Sequence, residues 1–247
     1  VTPRLQVFLI NEDTAIPGES LRKLWTPLIL INFKSYGEGF GQRAHNLAEA
    51  AEKVSQQTDV CIGLAPQYTE IADIARTVSL PVFAQHVDPI EPGSFTGHVL
   101  PSAVKEAGAV GALINHSERR LKLASIQTAV EKLRTMKLVS VVCANNAEVS
   151  AAAAAVNPNF IAVEPPELIG TGIPVSKAKP EIITETVSRV HRIQRDLTVL
   201  CGAGISKGED VAAALKLGTK GVLVASGIVK AKKPEETIRE FAEATQS

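Results

Sequence analysis

Glu164 closes the apolar run Phe160-Ile161-Ala162-Val163, and Pro165, Pro166 and then Gly170-Thr171-Gly172 come after it. An acid at a strand tip, under a loop stiff at its start and flexible at its end, describes a base beneath a lid. Lids of this kind exclude water and complete a catalytic set. Other reactive side chains occur in similar places. Asn32 and Lys34 stand at the end of one apolar run, and His116-Ser117-Glu118 follows another after Asn115. A carboxylate base, a histidine able to donate a hydrogen bond and a lysine suit proton abstraction beside a carbonyl. Glu164 would remove the carbon-bound proton while His116 and Lys34 steady the enediolate oxygen. Gly202-Ala203-Gly204-Ile205-Ser206 and Ala225-Ser226-Gly227 follow two further runs. Glycine-rich turns leave backbone amides uncovered and form an anion site, so the substrate is expected to carry a phosphate. Gly170, at the far end of the lid, adds another amide on closure.

Positioning these groups falls to short β-type runs alternating with helical periodicity. The predicted strands are Leu28–Phe33, Val60–Leu64, Pro81–Ala84, Val110–Ile114, Val139–Cys143, Phe160–Val163, Thr198–Cys201 and Gly221–Val224. Their hydrophobicity is continuous, which marks parallel strands buried on both faces. The predicted helices are Gln42–Ser55, Ser125–Met136, Glu148–Val156, Glu181–Arg195, Gly208–Leu217 and Pro234–Ala244, with shorter ones in Tyr68–Thr77 and Pro101–Ala107. Eight strand-then-helix units predict an α/β fold, a closed (β/α)8 barrel over residues 26–247 as a single domain. A doubly wound open sheet is the structural alternative, but no Gly-x-Gly-x-x-Gly fingerprint follows the first strand. The barrel requires catalytic groups where strands end, and the candidates meet that demand. Residues 1–25 fit none of the eight units and read as a short N-terminal extension.

Composition narrows the partners. Lys+Arg and Asp+Glu balance at 26 each, which gives no basic excess for nucleic acid or an anionic membrane. No run approaches the ~18 apolar residues of a spanning helix. Leu5–Ile10 is too short for the core of a signal peptide. Cys61, Cys143 and Cys201 all lie in or beside apolar runs. An odd, strand-borne set is neither a disulfide framework nor a metal signature, and it predicts buried reduced thiols in a cytoplasmic protein.

Asn32-Phe33-Lys34, His116-Ser117-Glu118-Arg119-Arg120 and Glu164-Pro165 through Ile169-Gly170-Thr171-Gly172 together resemble the triosephosphate isomerase family in its compact archaeal-type form. The similarity runs from about Leu28 to about Phe241. It implies interconversion of dihydroxyacetone phosphate and D-glyceraldehyde 3-phosphate, in glycolysis and gluconeogenesis, without metal or cofactor. By the same resemblance Glu164 is the base, His116 the electrophile, and Asn32 and Lys34 substrate contacts. Glu118 supports Lys34, Ile169 and Gly170 close over the ligand, and Gly204, Ala225 and Ser226 offer amides to the phosphate. The archaeal-type form tends to be a homotetramer rather than a dimer, and the long segment Gln85–Leu100 looks like the loop that enters a neighbouring subunit. The chain departs from the common pattern at Pro166-Glu167-Leu168 in the lid, at the turn after the seventh strand, and at Asn115, where many members have glycine. Two other readings share parts of this pattern. One is a different phosphate-binding barrel enzyme, such as a sugar-phosphate isomerase or an indole- or thiamine-pathway synthase. The other is a barrel that binds phosphosugar, or serves as an assembly scaffold, without catalysis.

Overall fold

A computed structural model of the chain describes residues 7–9, 23–166 and 174–246. Two short strands come first, β1 (Val7–Leu9) and β2 (Lys23–Trp25), paired antiparallel. Eight parallel strands follow: β3 (Leu28–Asn32), β4 (Cys61–Ala65), β5 (Phe83–Ala84), β6 (Gly111–Ile114), β7 (Val139–Ala144), β8 (Phe160–Val163), β9 (Thr198–Cys201) and β10 (Gly221–Val224). Their order in the sheet is β4-β3-β10-β9-β8-β7-β6-β5. The two ends meet through the bridge Leu64↔Val82 and the 2.9 Å bond from the Leu64 amide to the Pro81 carbonyl. The sheet is therefore a barrel, and the open doubly wound alternative is excluded.

The helices are α1 (Gln42–Thr58), α2 (Ile71–Thr77), α3 (Pro101–Glu106), α4 (Leu123–Thr135), α5 (Ala147–Ala154), α6 (Val175–Ala178), α7 (Pro180–Ile193), α8 (Gly208–Lys216), α9 (Ser226–Val229) and α10 (Pro234–Ala244). Most expected boundaries hold to within two or three residues. The largest shortfall is the third barrel strand, expected over Pro81–Ala84, which retains only Phe83 and Ala84 as ladder residues. The Tyr68–Thr77 helix begins as a 3-10 turn, Tyr68–Glu70.

The continuous apolar strands resolve into two faces once they are folded. Leu28 and Leu30 of β3, Leu113 of β6, Phe160 and Ala162 of β8, Leu200 of β9 and Leu223 of β10 fill the barrel interior. Ile29, Ile31, Ile62, Leu64, Ile114, Val142, Ile161, Val163, Val199 and Val222 point outward under the helices. Both sets are almost fully withdrawn from solvent, so a period of two is hidden inside an unbroken apolar run. Following the inward parity one step further along each chain reaches Asn32, Asn115, Glu164 and Gly202. These residues form the top layer of the barrel filling, where the apolar residues give way to polar ones. At the opposite end Leu24 of β2 is fully buried in the interior cluster with Leu28 and Phe83.

After β5 the chain makes a long excursion. Asp88 closes its base, donating its amide to the Val99 carbonyl at 2.9 Å and accepting the Val99 amide on Oδ2 at 2.7 Å. His86 Nε2 lies 3.1 Å from Asp88 Oδ1, and Arg119 reaches the same oxygen at 3.4 Å. Burial pushes the Asp88 carboxyl up, but the Val99 amide, His86 and Arg119 together outweigh it and hold it below the usual carboxylate range. Burial pulls His86 in the opposite sense, below the ordinary imidazole value. At the tip Phe95 remains 44% exposed and packs edge-on against His98.

Candidate active site

At the carboxyl end of β3 the chain turns through Phe33 and Lys34, and Lys34 takes a left-handed φ of 48°. The Asn32 side chain supports that turn by accepting the Lys34 amide at 2.9 Å, a local bond that short polar residues offer. The Lys34 carbonyl is held from two sides by the Gln67 and Gln85 side-chain amides, each at 2.9 Å. Its Nζ lies 2.8 Å from Glu118 Oε1. The lysine side chain is 9% exposed and Glu118 61%. The lysine head group therefore sits inside the mouth while its partner faces solvent.

His116 is 7% exposed. Its Nδ1 accepts the Glu118 backbone amide at 3.2 Å. A backbone amide can only donate, so Nδ1 carries no proton and the neutral ring holds its proton on Nε2. Nε2 faces Glu164 Oε1 at 3.4 Å. Glu164 is 3% exposed, and its Oε2 has no hydrogen-bond partner among the described residues. Its amide continues the β7–β8 ladder to the Ala144 carbonyl at 2.7 Å, so backbone bonds fix the root of the side chain. A buried carboxylate oxygen without a partner is costly in a finished core and is the kind of group that a substrate completes.

Two neighbours shape the space around Glu164. Burial and the adjacent Glu164 carboxylate hold the Cys143 thiol well above its usual value. Burial pushes Cys201 up to about 12. Both stay protonated and inert, as sequence reading expects, and all three cysteines are free and buried. On the other side Gly202 packs directly against Glu164. A Cβ built at Gly202 would stand 2.4 Å from Glu164 Cγ. Only the absence of a side chain leaves Glu164 in place.

A cavity of about 280 Å³ runs from Asn32, Lys34, His116 and Glu164 to the turns Gly202–Ser206 and Ala225–Gly227. Gly204 has a φ of 71°, which glycine adopts without strain. The Ser206 amide and hydroxyl both reach Asp210 Oδ2 at 3.1 Å, and Lys207 donates to the same oxygen at 3.2 Å. Asp210 is fully buried and fixes the turn to the start of α8. At the start of α9 the Ile228 and Val229 amides return to the Ala225 carbonyl at 3.1 and 2.9 Å, and helix geometry gives the Ser226 and Gly227 amides before them no intrahelical acceptor.

The structure brings Asn32, Lys34, His116, Glu164, Gly204, Ala225 and Ser226 to the lining of one cavity. Glu118 joins through Lys34 at the rim. Ile169 and Gly170 lie outside the described residues. Sequence reading missed Tyr36, which lines the cavity and carries the Lys230 ammonium 4.1 Å from its ring centroid. Its place in the first βα loop, two residues past Lys34, was the available signal. The Cys143–Glu164 contact had none, because it joins adjacent strands through residues distant in sequence.

A family described as "Triosephosphate isomerase" matches residues 27–243. The chain is 56% identical over 214 residues to the triosephosphate isomerase of Methanocaldococcus jannaschii, covering 87% of this chain and 98% of that protein. It is 53% identical to that of Methanothermus fervidus over 215 residues, 87% of this chain and 97% of the relative. A third relative, the triosephosphate isomerase of Methanosarcina acetivorans, is 52% identical over 216 residues, with the same shares of 87% and 97%.

Proposed function

The chain belongs to the triosephosphate isomerase family, and we propose that it interconverts dihydroxyacetone phosphate and D-glyceraldehyde 3-phosphate through the groups gathered at its barrel mouth. The observation that carries this reading is His116 Nε2 facing a buried, half-satisfied Glu164 carboxylate at 3.4 Å, with Lys34 lining the same cavity. Glu164 takes the C1 proton of dihydroxyacetone phosphate, and the electron pair of the C–H bond moves to the carbonyl oxygen. His116 Nε2–H and the Lys34 ammonium stabilise the enediolate oxygen as charge develops there. The hydroxyl proton passes from the C1 oxygen to the C2 oxygen beside His116 Nε2; Glu164 then returns its proton to C2 as the O1 electron pair re-forms a carbonyl at C1, which gives the aldehyde. A neutral imidazole serves because it donates a hydrogen bond without surrendering a full charge, a pairing with a glutamate base already known for this chemistry. At the other end of the cavity, the amides around Gly204, Ala225 and Ser226 take the phosphate. Ile169 and Gly170 close over the bound molecule and keep water from the enediolate phosphate, which suppresses phosphate elimination.

The reading is tested with phosphoglycolohydroxamate, a mimic of the enediolate, in a coupled assay on glyceraldehyde 3-phosphate. The mimic is expected to inhibit at least about 10²-fold more tightly than inorganic phosphate, the signature of a site shaped for the transition state. No turnover in this assay would leave a phosphate-binding barrel without this catalysis, and turnover inhibited equally by the two would place the chemistry outside this cavity.

The family resemblance favours a homo-oligomer, a tetramer over a dimer, with the long segment Gln85–Leu100 entering a neighbouring copy, and Phe95 stands exposed at its tip. An aromatic residue at the tip of a loop that is tied at its base is a natural interface anchor. Phe95→Glu is expected to shift sedimentation to a smaller species, and an unchanged sedimentation coefficient would place the interface elsewhere. Three buried free thiols suit a reducing cytoplasm, and a place in glycolysis and gluconeogenesis follows from the reaction. Among the described residues no helix is long and apolar enough to cross a membrane.

A further inference from the structure

The His116 turn hangs from one unusual residue. Asn115 is 4% exposed and takes a left-handed φ of 61°, so β6 stops at Ile114 and the chain veers into the cavity wall. Its side chain then bridges two structures. Nδ2 donates to the Cys143 carbonyl of β7 at 2.9 Å, and Oδ1 accepts the Leu121 amide at 2.8 Å. The Arg120 guanidinium returns to the Asn115 carbonyl at 3.0 Å. The turn that presents His116 and Glu118 is thereby closed on itself and clamped to the neighbouring strand.

The strand chosen for the clamp matters. Register pairing between β6 and β7 ends at Ile114↔Val142. Beyond that pair the Asn115 amide supplies the cross-strand bond, at the level of Cys143. The Cys143 thiol is the group that lies against Glu164, and the next residue, Ala144, accepts the Glu164 amide. One side-chain amide thus ties the strand end carrying His116 to the strand on which Glu164 is hung.

We propose that Asn115 is a positioning residue for the isomerase reaction: by bridging the Cys143 carbonyl and the Leu121 amide it sets the His116 imidazole against Glu164. This rests on the isomerase reading above. Both hydrogen bonds come from groups that touch no substrate, so the residue acts through His116 and the ground-state phosphate contacts do not involve it. Asparagine suits the position for two reasons. It enters the left-handed region more readily than other side chains, and it offers a donor and an acceptor at once.

The test uses the full chain with Asn115→Gly, which permits the same left-handed φ without strain and removes both bonds. A second variant, Asn115→Asp, keeps an acceptor for Leu121 but cannot donate to Cys143. For each, kcat, KM, thermal midpoint and inhibition by phosphoglycolohydroxamate and by inorganic phosphate are measured. A shift of about 1 Å in His116 predicts a fall in kcat of roughly 10- to 100-fold for Asn115→Gly. Phosphoglycolohydroxamate affinity falls in parallel, while KM and phosphate inhibition stay within about threefold, since misplacing a transition-state donor spares ground-state binding. Asn115→Asp shows the same split, and it alone decides if Asn115→Gly does not fold. A folded variant with parental kcat overturns the inference, as does an equal loss of phosphate and phosphoglycolohydroxamate affinity, which marks a general disturbance of the barrel mouth. An inactive parent chain would overturn the isomerase reading and this inference with it.

Discussion

Glu164→Gln ends turnover and leaves binding in place. In the coupled assay, kcat on glyceraldehyde 3-phosphate is expected to fall by about 10³-fold or more, with KM within a few-fold of the parent, because a positioned base contributes 10²–10⁴ on its own. The substitution is close to isosteric, and the carboxamide fits where Glu164 is 3% exposed. Its carbonyl oxygen can take the place of Oε1 and still face His116 Nε2 at 3.4 Å. What it cannot do is accept a proton from carbon, since the amide is far too weak a base. Folding should be unharmed: the ladder bond at this position comes from the backbone amide, which donates to Ala144 regardless of the side chain. A folded Glu164→Gln protein with more than about a tenth of parental kcat would remove Glu164 from the role of base, since the proton transfer would then have another acceptor.

The barrel was legible because its signals are local and repeated. Each strand is a short, unbroken apolar run, and each reactive residue sits just past one. The positional rule for barrels converts that pattern into a site without any knowledge of distances. Asn32, Lys34, His116 and Glu164 are picked out in this way, and all four line one cavity. Two kinds of feature were not legible. The first is the division of each apolar run into inward and outward faces. Leu28 and Ile29 look alike in sequence, yet one fills the barrel and the other packs under helices, because both environments exclude water equally. The second is contact between strand ends. The Asn115 bridge to Cys143 and the packing of Gly202 against Glu164 join residues 28 and 38 positions apart, and no propensity or spacing encodes them. Gly202 itself was visible, but as one glycine of a phosphate-binding turn. Its contact with Glu164 came only with the fold.

That contact leads to the second large effect. Gly202→Ala is expected to cut kcat by about 10²-fold, a loss of the size that a misplacement near 1 Å produces. The backbone of Gly202 does not need glycine's conformational range, so the cost is steric. The new methyl carbon would lie 2.4 Å from Glu164 Cγ and 3.1 Å from both Cδ and Oε1. Cγ is the middle of the side chain, and Glu164 is enclosed by Cys143, His116 and the barrel filling, so Glu164 and the Gly202 backbone cannot both keep their places. Overpacking of this kind costs about 1–3 kcal/mol of stability, which a shift in thermal midpoint will register. The decisive comparison is with the base removed. In a Glu164→Gln background, adding Gly202→Ala should lower kcat by no more than about twofold, because effects of groups that act as a unit do not add. A full further 10²-fold loss in that background would mean that Gly202 serves the phosphate turn and not the glutamate.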